Sequence, residues 1–245
     1  MIYSDNFEKT YYVSAEMKER SVVYAVLDLF GPLLEYRLPE GNGVLESWSL
    51  FGITYRDKDT GEKYRILFDG EWKLTLEVFR DLGIAMAVAI FIIYFLLVFQ
   101  FKSLKAPLLI MATIPLAMIG VMPGFAILGA SKGIFFNATS MIGVIALSGI
   151  VVNNAIIFLE YIKKMKIDNF SIKEALLKAG ETRFLPIILT SVTTILGSLT
   201  IVSDPVWAGL AWAIIWGLST STFLTLIVFP IFYYMAEEKN WRKNN

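Results

Sequence analysis

The stretch GIAMAVAIFIIYFLLVFQF, residues 83–101, decides the class of this protein. It contains no Asp, Glu, Lys or Arg. As a helix it would span about 28 Å, close to the hydrocarbon thickness of a bilayer. Four more stretches have the same character: 106–129, 138–162, 184–202 and 208–235. Glu160, near the end of the third, is the one formal charge among them. Soluble core helices of this length and purity are rare. The sequence therefore predicts a membrane all-α bundle of five transmembrane helices.

Working outward, the flanking charges set a direction. Lys102 and Lys105 follow the first span, and only Lys132 follows the second. Lys163, Lys164, Lys166, Lys173, Lys178 and Arg183 follow the third. The fourth connection carries only Asp204, and the tail, 236–245, carries Lys239, Arg242 and Lys243. Positive loops stay in the cytoplasm. The first and third connections and the C-terminus are thus expected there, with residues 1–82 outside.

The charge balance matches this split. Lys and Arg match Asp and Glu at 22 each, but residues 1–82 hold 10 basic and 15 acidic residues, a net of −5. Residues 83–245 carry the compensating +5. No basic stripe suggests nucleic acid. There is no Cys and no His, which excludes thiol chemistry and the common zinc sites. No nucleophile–base or metal constellation is visible, so no enzyme and no cofactor is expected.

The N-terminus, MIYSDNFEKTYYVSAEMKER, lacks the pattern of a signal peptide. An outside domain needs something to start its export. The expectation is a protein with earlier spans, of which this chain begins partway through.

Residues 1–82 read as a partial α/β layer. Tyr11 to Met17 alternates weakly, as a strand. Ser21 to Tyr36 has helical spacing, and Pro32 can kink it. Residues 38–43 form a turn. Leu50 to Arg56 and Glu62 to Phe68 read as strands of a hairpin through Asp57-Lys58-Asp59-Thr60-Gly61. Phe68 to Leu82 is expected to run as a helix into the first span. In the third connection, Ser171 and Glu174 form a capping box for a short amphipathic helix that Gly180 ends.

Polar groups inside the spans are the informative ones. Asn153 and Asn154 lie mid-span in GIVVNNAIIF, and at least one should face other helices, either as interhelical bonding or as a functional group. Arg183 and Thr190 are seven residues apart and share a face. Thr190, Thr194 and Ser198 continue it as a hydroxyl stripe. In the fifth span Gly209, Ala213, Gly217, Ser221 and Thr225 recur every four residues, a ridge for close helix packing. Met111, Met118 and Met122 share part of one face and read as packing or lipid contact, with no metal site. No span interior contains a group that titrates for proton transport.

Several blocks carry a family resemblance: VFQFKSLKAPLLIMATIPLAMIG (98–120), ATSMIGVIALSGIVVNNAIIFLEYI (138–162) and AGETRFLPIILTSVTTILGSLTIVSDPVWAGLA (179–211). The chain resembles the C-terminal end of resistance–nodulation–division (RND) efflux pumps, of the hydrophobe/amphiphile multidrug branch. The resemblance implies spans eight to twelve of twelve, with 1–82 as the end of the extracytoplasmic porter region. It implies a homotrimeric, proton-driven antiporter of the inner membrane, working with a periplasmic adaptor and an outer-membrane channel.

In that family paired aspartates of the fourth span carry the proton, and this chain lacks that span. A lysine of the tenth span often pairs with them; Asn153 occupies its place here. Arg183 and Thr190 match the family's eleventh-span arginine and threonine. Asn153, Asn154, Arg183 and Thr190 are thus the expected surroundings of the relay. The heavy-metal branch usually has an acidic residue beside the tenth-span site, and its absence favours organic substrates. The partner implied is the missing N-terminal half of the pump. The chain alone would be incomplete and inactive, a separately encoded half acting in assembly, or a gene remnant.

Overall fold

The computed structural model describes residues 3–5, 8–16, 21–36 and 43–243. The chain divides into two compact units, residues 1–74 and 75–245.

The first unit holds two small sheets and one helix. Strands β1 (Tyr3–Asp5) and β2 (Glu8–Thr10) pair antiparallel. Helix α1 (Val22–Glu35) is capped by Ser21, whose hydroxyl accepts from the Val23 N–H at 3.3 Å. Strands β3 (Gly43–Ser49), β4 (Gly52–Asp57) and β5 (Lys63–Leu67) form an antiparallel meander in that order. The central strand supplies the core: Ile53 and Tyr55 are buried on one face. The Tyr55 hydroxyl donates to the Leu33 carbonyl, and the Phe30 and Phe68 rings lie 5.0 Å apart, so α1 covers that face.

Two readings change here. Tyr11–Glu16 has no regular structure; Met17 and the turn at 38–42 lie outside the described residues. β3 was not anticipated, because GVLESWS shows no clean alternation and its side chains are mostly exposed. The hairpin β4–β5 turns through Asp57–Gly61, with Gly61 at a left-handed φ of 72°. Asp57 accepts from the Asp59 N–H at 2.9 Å and the Thr60 hydroxyl at 3.0 Å.

Among the described residues, five helical stretches are long and apolar enough to cross a membrane. α2 (Glu71–Phe101) begins after Gly70, at φ 68°, and runs unbroken. Lys102, at φ 49°, turns the chain into α3 (Lys105–Met111) and α4 (Thr113–Lys132). The second span is therefore two helices, interrupted at Ala112. Pro115 has no N–H to donate to the Met111 carbonyl one turn back. The Thr113 hydroxyl instead donates to the Ile110 carbonyl at 2.6 Å.

α5 (Ala138–Ile167) exceeds its expected end by five residues. α6 (Ile172–Leu199) opens on the Ser171–Glu174 capping box. It corrects the expectation at Gly180, which lies inside a continuous helix. Gly180 is not among the glycines with positive φ, and a helix ends on glycine only when it takes that conformation. The connector and fourth span are therefore one helix that also continues through Pro186. α7 (Ala208–Lys243) is the last. Asp204 prepares it, accepting from the N–H groups of Val206 at 2.8 Å and Trp207 at 3.1 Å.

α7 is the hub, packed against α4, α5 and α6. Two apolar clusters hold the bundle. One gathers Val121, Phe125, Val144, Leu147 and Leu218; the other centres on Phe158, Leu159, Ile162 and Phe229. The Phe158 and Phe229 rings meet edge to face at 5.8 Å.

Candidate functional site: the polar face of α5 and α6

The small-residue ridge of α7 sets how closely its neighbours approach. Ala213 is fully buried against Gly143 of α5. A methyl group at Gly143 would sit 2.8 Å from Ala213 Cβ and 2.9 Å from the Leu210 carbonyl oxygen. Gly217 is covered by Leu147 of α5 and Val121 of α4, and Gly209 by Asn137, Thr139 and Ser140. Ser221 is buried, its hydroxyl bonded to the Leu218 carbonyl at 3.3 Å.

Buried polar groups join α6 to α7. Ser191 and Thr222 share a hydrogen bond of 2.8 Å, both buried. Thr225, also buried on α7, has no hydrogen-bond partner for its hydroxyl among the described residues.

Asn153 and Asn154 part company, as neighbours about 100° apart on a helix must. Asn154 is 6 % exposed, inside the bundle. Asn153 is exposed, although it lies mid-span. An amide facing lipid leaves two donors and an acceptor unmet.

Arg183 leans on α5. Its guanidinium carbon is 5.2 Å from the centre of the Tyr161 ring. The adjacent Thr182 hydroxyl donates to the Tyr161 hydroxyl at 3.1 Å. The Arg183 Nε is buried and has no hydrogen-bond partner among the described residues. A guanidinium N–H shut away from water without an acceptor is costly.

Thr190 is exposed, and its hydroxyl bonds back to the Ile187 carbonyl at 3.0 Å. Thr194 and Ser198 bond back in the same way, to Thr190 at 2.8 Å and to Thr194 at 2.9 Å. The hydroxyl stripe is therefore satisfied within α6.

α5 and α6 run antiparallel, and the Tyr161–Thr182 contact fixes their register. Eight residues back along α5 lies Asn153, and eight forward along α6 lies Thr190. Along α6, Thr190 is about two turns beyond Arg183. Asn153 and Thr190 are both exposed, and Arg183 lies nearer the lysine-rich end of α6. The structure does not join the four residues into one bonded cluster, and Asn154 faces inward. Tyr161, Ser191 and Thr222 were missed in the sequence. Tyr161 sits in the 138–162 block but reads as an interface aromatic, and the other two look like ordinary hydroxyls.

Apolar helices of this length define a multi-pass membrane protein. Residues 58–237 match the model of the AcrB/AcrD/AcrF family. The chain belongs to that family, within the RND transporters. It is 38 % identical over 161 residues to the swarming motility protein SwrC of Bacillus subtilis, covering 63 % of this chain and 15 % of that protein. It is 27 % identical over 206 residues to the multidrug resistance protein MdtC of Yersinia pseudotuberculosis, covering 82 % and 20 %. A crystal structure of a heavy metal efflux pump aligns with a TM-score of 0.60 at 26 % identity, over 71 % of this chain and 18 % of the pump. The chain thus spans a fifth or less of the length of these relatives.

Proposed function

We propose that this chain is the C-terminal part of a proton-driven efflux transporter for hydrophobic or amphiphilic compounds, active only beside the N-terminal half of the pump. One observation carries the reading: Asn153 and Thr190 are polar and exposed in the middle of otherwise apolar helices. Lipid cannot satisfy the amide, whereas a neighbouring span with carboxylates can. The five span interiors supply no such carboxylate, so the proton carrier belongs to the partner half. Arg183, with its Nε lacking an acceptor among the described residues, would be the cation that the partner's carboxylates pair with on protonation change.

The chain would lie in the inner membrane with residues 1–82 outside and the C-terminus in the cytoplasm, on the loop charges alone. A trimer, an adaptor and an outer channel accompany this reading, by family resemblance.

Likeness to a heavy metal efflux pump favours a second cargo, a divalent cation. Against it, no carboxylate stands beside Asn153 and Asn154. The test is efflux from cells that carry the complete pump. Arg183→Ala should impair export of a lipophilic dye while the protein still inserts. Unchanged export would remove the relay assignment, and export of divalent cations in place of the dye would replace the substrate class.

A further inference from the structure

At the lysine-rich end of the bundle, α5, α7 and the turn into α3 enclose a cleft of about 360 Å³. That is the size of a small ligand site. Its polar wall is Ser103, Lys163, Lys166, Tyr233 and Glu237. Its apolar wall includes Leu109 and Ile167. Ile167 is largely exposed at the end of its helix, so this wall continues onto the outer surface.

The wall has a specific chemistry. Lys163 and Lys166 are three apart on α5, so their ammonium groups share a face. Lys163 is half-buried, its Nζ 4.3 Å from the centre of the Phe101 ring, which limits its reach. Two ammonium groups and two hydroxyls offer donors to a phosphate. Glu237 faces them from α7. A carboxylate beside two lysines weakens the hold on a purely anionic group and suits one that also carries a cation. The apolar wall suits hydrocarbon chains. A free phosphate would use the lysines but neither Glu237 nor the apolar wall.

We propose that this cleft binds the head group of an amine-bearing glycerophospholipid, a phosphatidylethanolamine, from the leaflet at that end of the bundle. The phosphate sits between Lys163 and Lys166, the ammonium faces Glu237, and the acyl chains leave along Leu109 and Ile167. Basic pockets between spans at the membrane surface recognise lipid head groups by the same physics. The proposal needs the membrane bundle alone and is independent of the proton relay.

The test uses the natural protein with whatever polypeptides accompany it, purified in mild detergent. Lipid retained on the protein is measured by native mass spectrometry, with phosphatidylethanolamine or phosphatidylglycerol added. Each lysine near a lipid surface contributes about fivefold in affinity. The double variant K163Q/K166Q should therefore retain about 25-fold less phosphatidylethanolamine, whereas K164Q, an exposed lysine outside the cleft, should retain the normal amount. Glu237→Gln should shift preference towards phosphatidylglycerol, which keeps the proposal testable if the double variant unfolds. Equal retention by K163Q/K166Q and K164Q overturns it. So does displacement of the lipid by millimolar inorganic phosphate, which would make the cleft a plain anion site.

Discussion

The guanidinium of Arg183 rests over the ring of Tyr161, 5.2 Å from its centre, across the seam between α5 and α6. A cation on a ring face is held by the ring quadrupole, with about 0.5–2 kcal/mol according to desolvation. Tyr161 thereby sets where the charge stands relative to Asn153 and Thr190. Tyr161→Leu should lower export by the complete pump several-fold at normal membrane levels of protein. Tyr161→Phe, which keeps the ring, should stay within about twofold. Export assays with immunoblots on the same membranes decide it, and equal activity of the two variants would leave the stacking without a role.

The ridge on α7 predicts a graded response. A side chain at Gly217 would collide with Leu147 and Val121, both buried. Gly217→Val should destabilise the bundle by about 1–3 kcal/mol, the usual cost of overpacking. Gly149 on α5 has open space where a Cβ would go. Gly149→Ala should be neutral or stabilise slightly, since alanine is the better helix residue. Thermal unfolding in detergent compares the two, and equal destabilisation would show that the ridge is not the limit on how closely α7 approaches.

Long apolar runs made the five spans legible, because nothing but a membrane or a dry core accommodates 83–101. Breaks within them were less legible. Pro115 interrupts the second span, yet Pro186 leaves α6 continuous, and residue type alone does not distinguish them. Gly180 misled for a related reason: glycine ends a helix only when the backbone turns left-handed there, and here the chain keeps its helical turn into the next span. The candidate site was legible as residue types and spacing on each helix. Its cross-helix part was hidden. The Tyr161–Thr182 contact that joins α5 to α6 lies between residues 21 apart in sequence. β3 stayed hidden because its pairing with β4, not its own pattern, makes it a strand.

The three-stranded sheet carries its own pH dependence. Hydrogen bonding from Lys63 at 3.0 Å, aided by Arg56, holds the Glu46 carboxyl below its ordinary range. A group whose folded pKa is depressed adds stability above its unfolded pKa, near 4.5. That contribution fades as pH falls through the lower folded value. Glu46→Gln should therefore flatten the acid limb of the stability curve below about pH 4.5 and change little near neutrality. The check is the loss of protease resistance in residues 43–67 against pH. Identical acid limbs for both proteins would remove Glu46 from the account.

Asn137 offers the sharpest separation of a local role from a packing role. Its Oδ1 accepts from the Ser140 N–H at 3.0 Å and from the Thr139 and Ser140 hydroxyls at 2.8 Å each. Ser140 in turn accepts from the Asn137 N–H at 3.2 Å. This reciprocal cap starts α5 beside Gly209 of α7. Without it, amide groups of the first turn would be unmet at a membrane boundary where water is scarce. Asn137→Ala should cost about 1 kcal/mol, and up to about 2 if the site is poorly hydrated. Asn137→Asp keeps the acceptor and adds a charge that the helix N-terminus favours, so it should match the parent or exceed it. Hydrogen exchange at the amides of 139–141 separates the explanations. Faster exchange in the alanine variant alone identifies the cap as the cause. Faster exchange in both variants would mean that the neutral amide, which aspartate cannot reproduce, and not the Oδ1 cap alone, holds the start of α5.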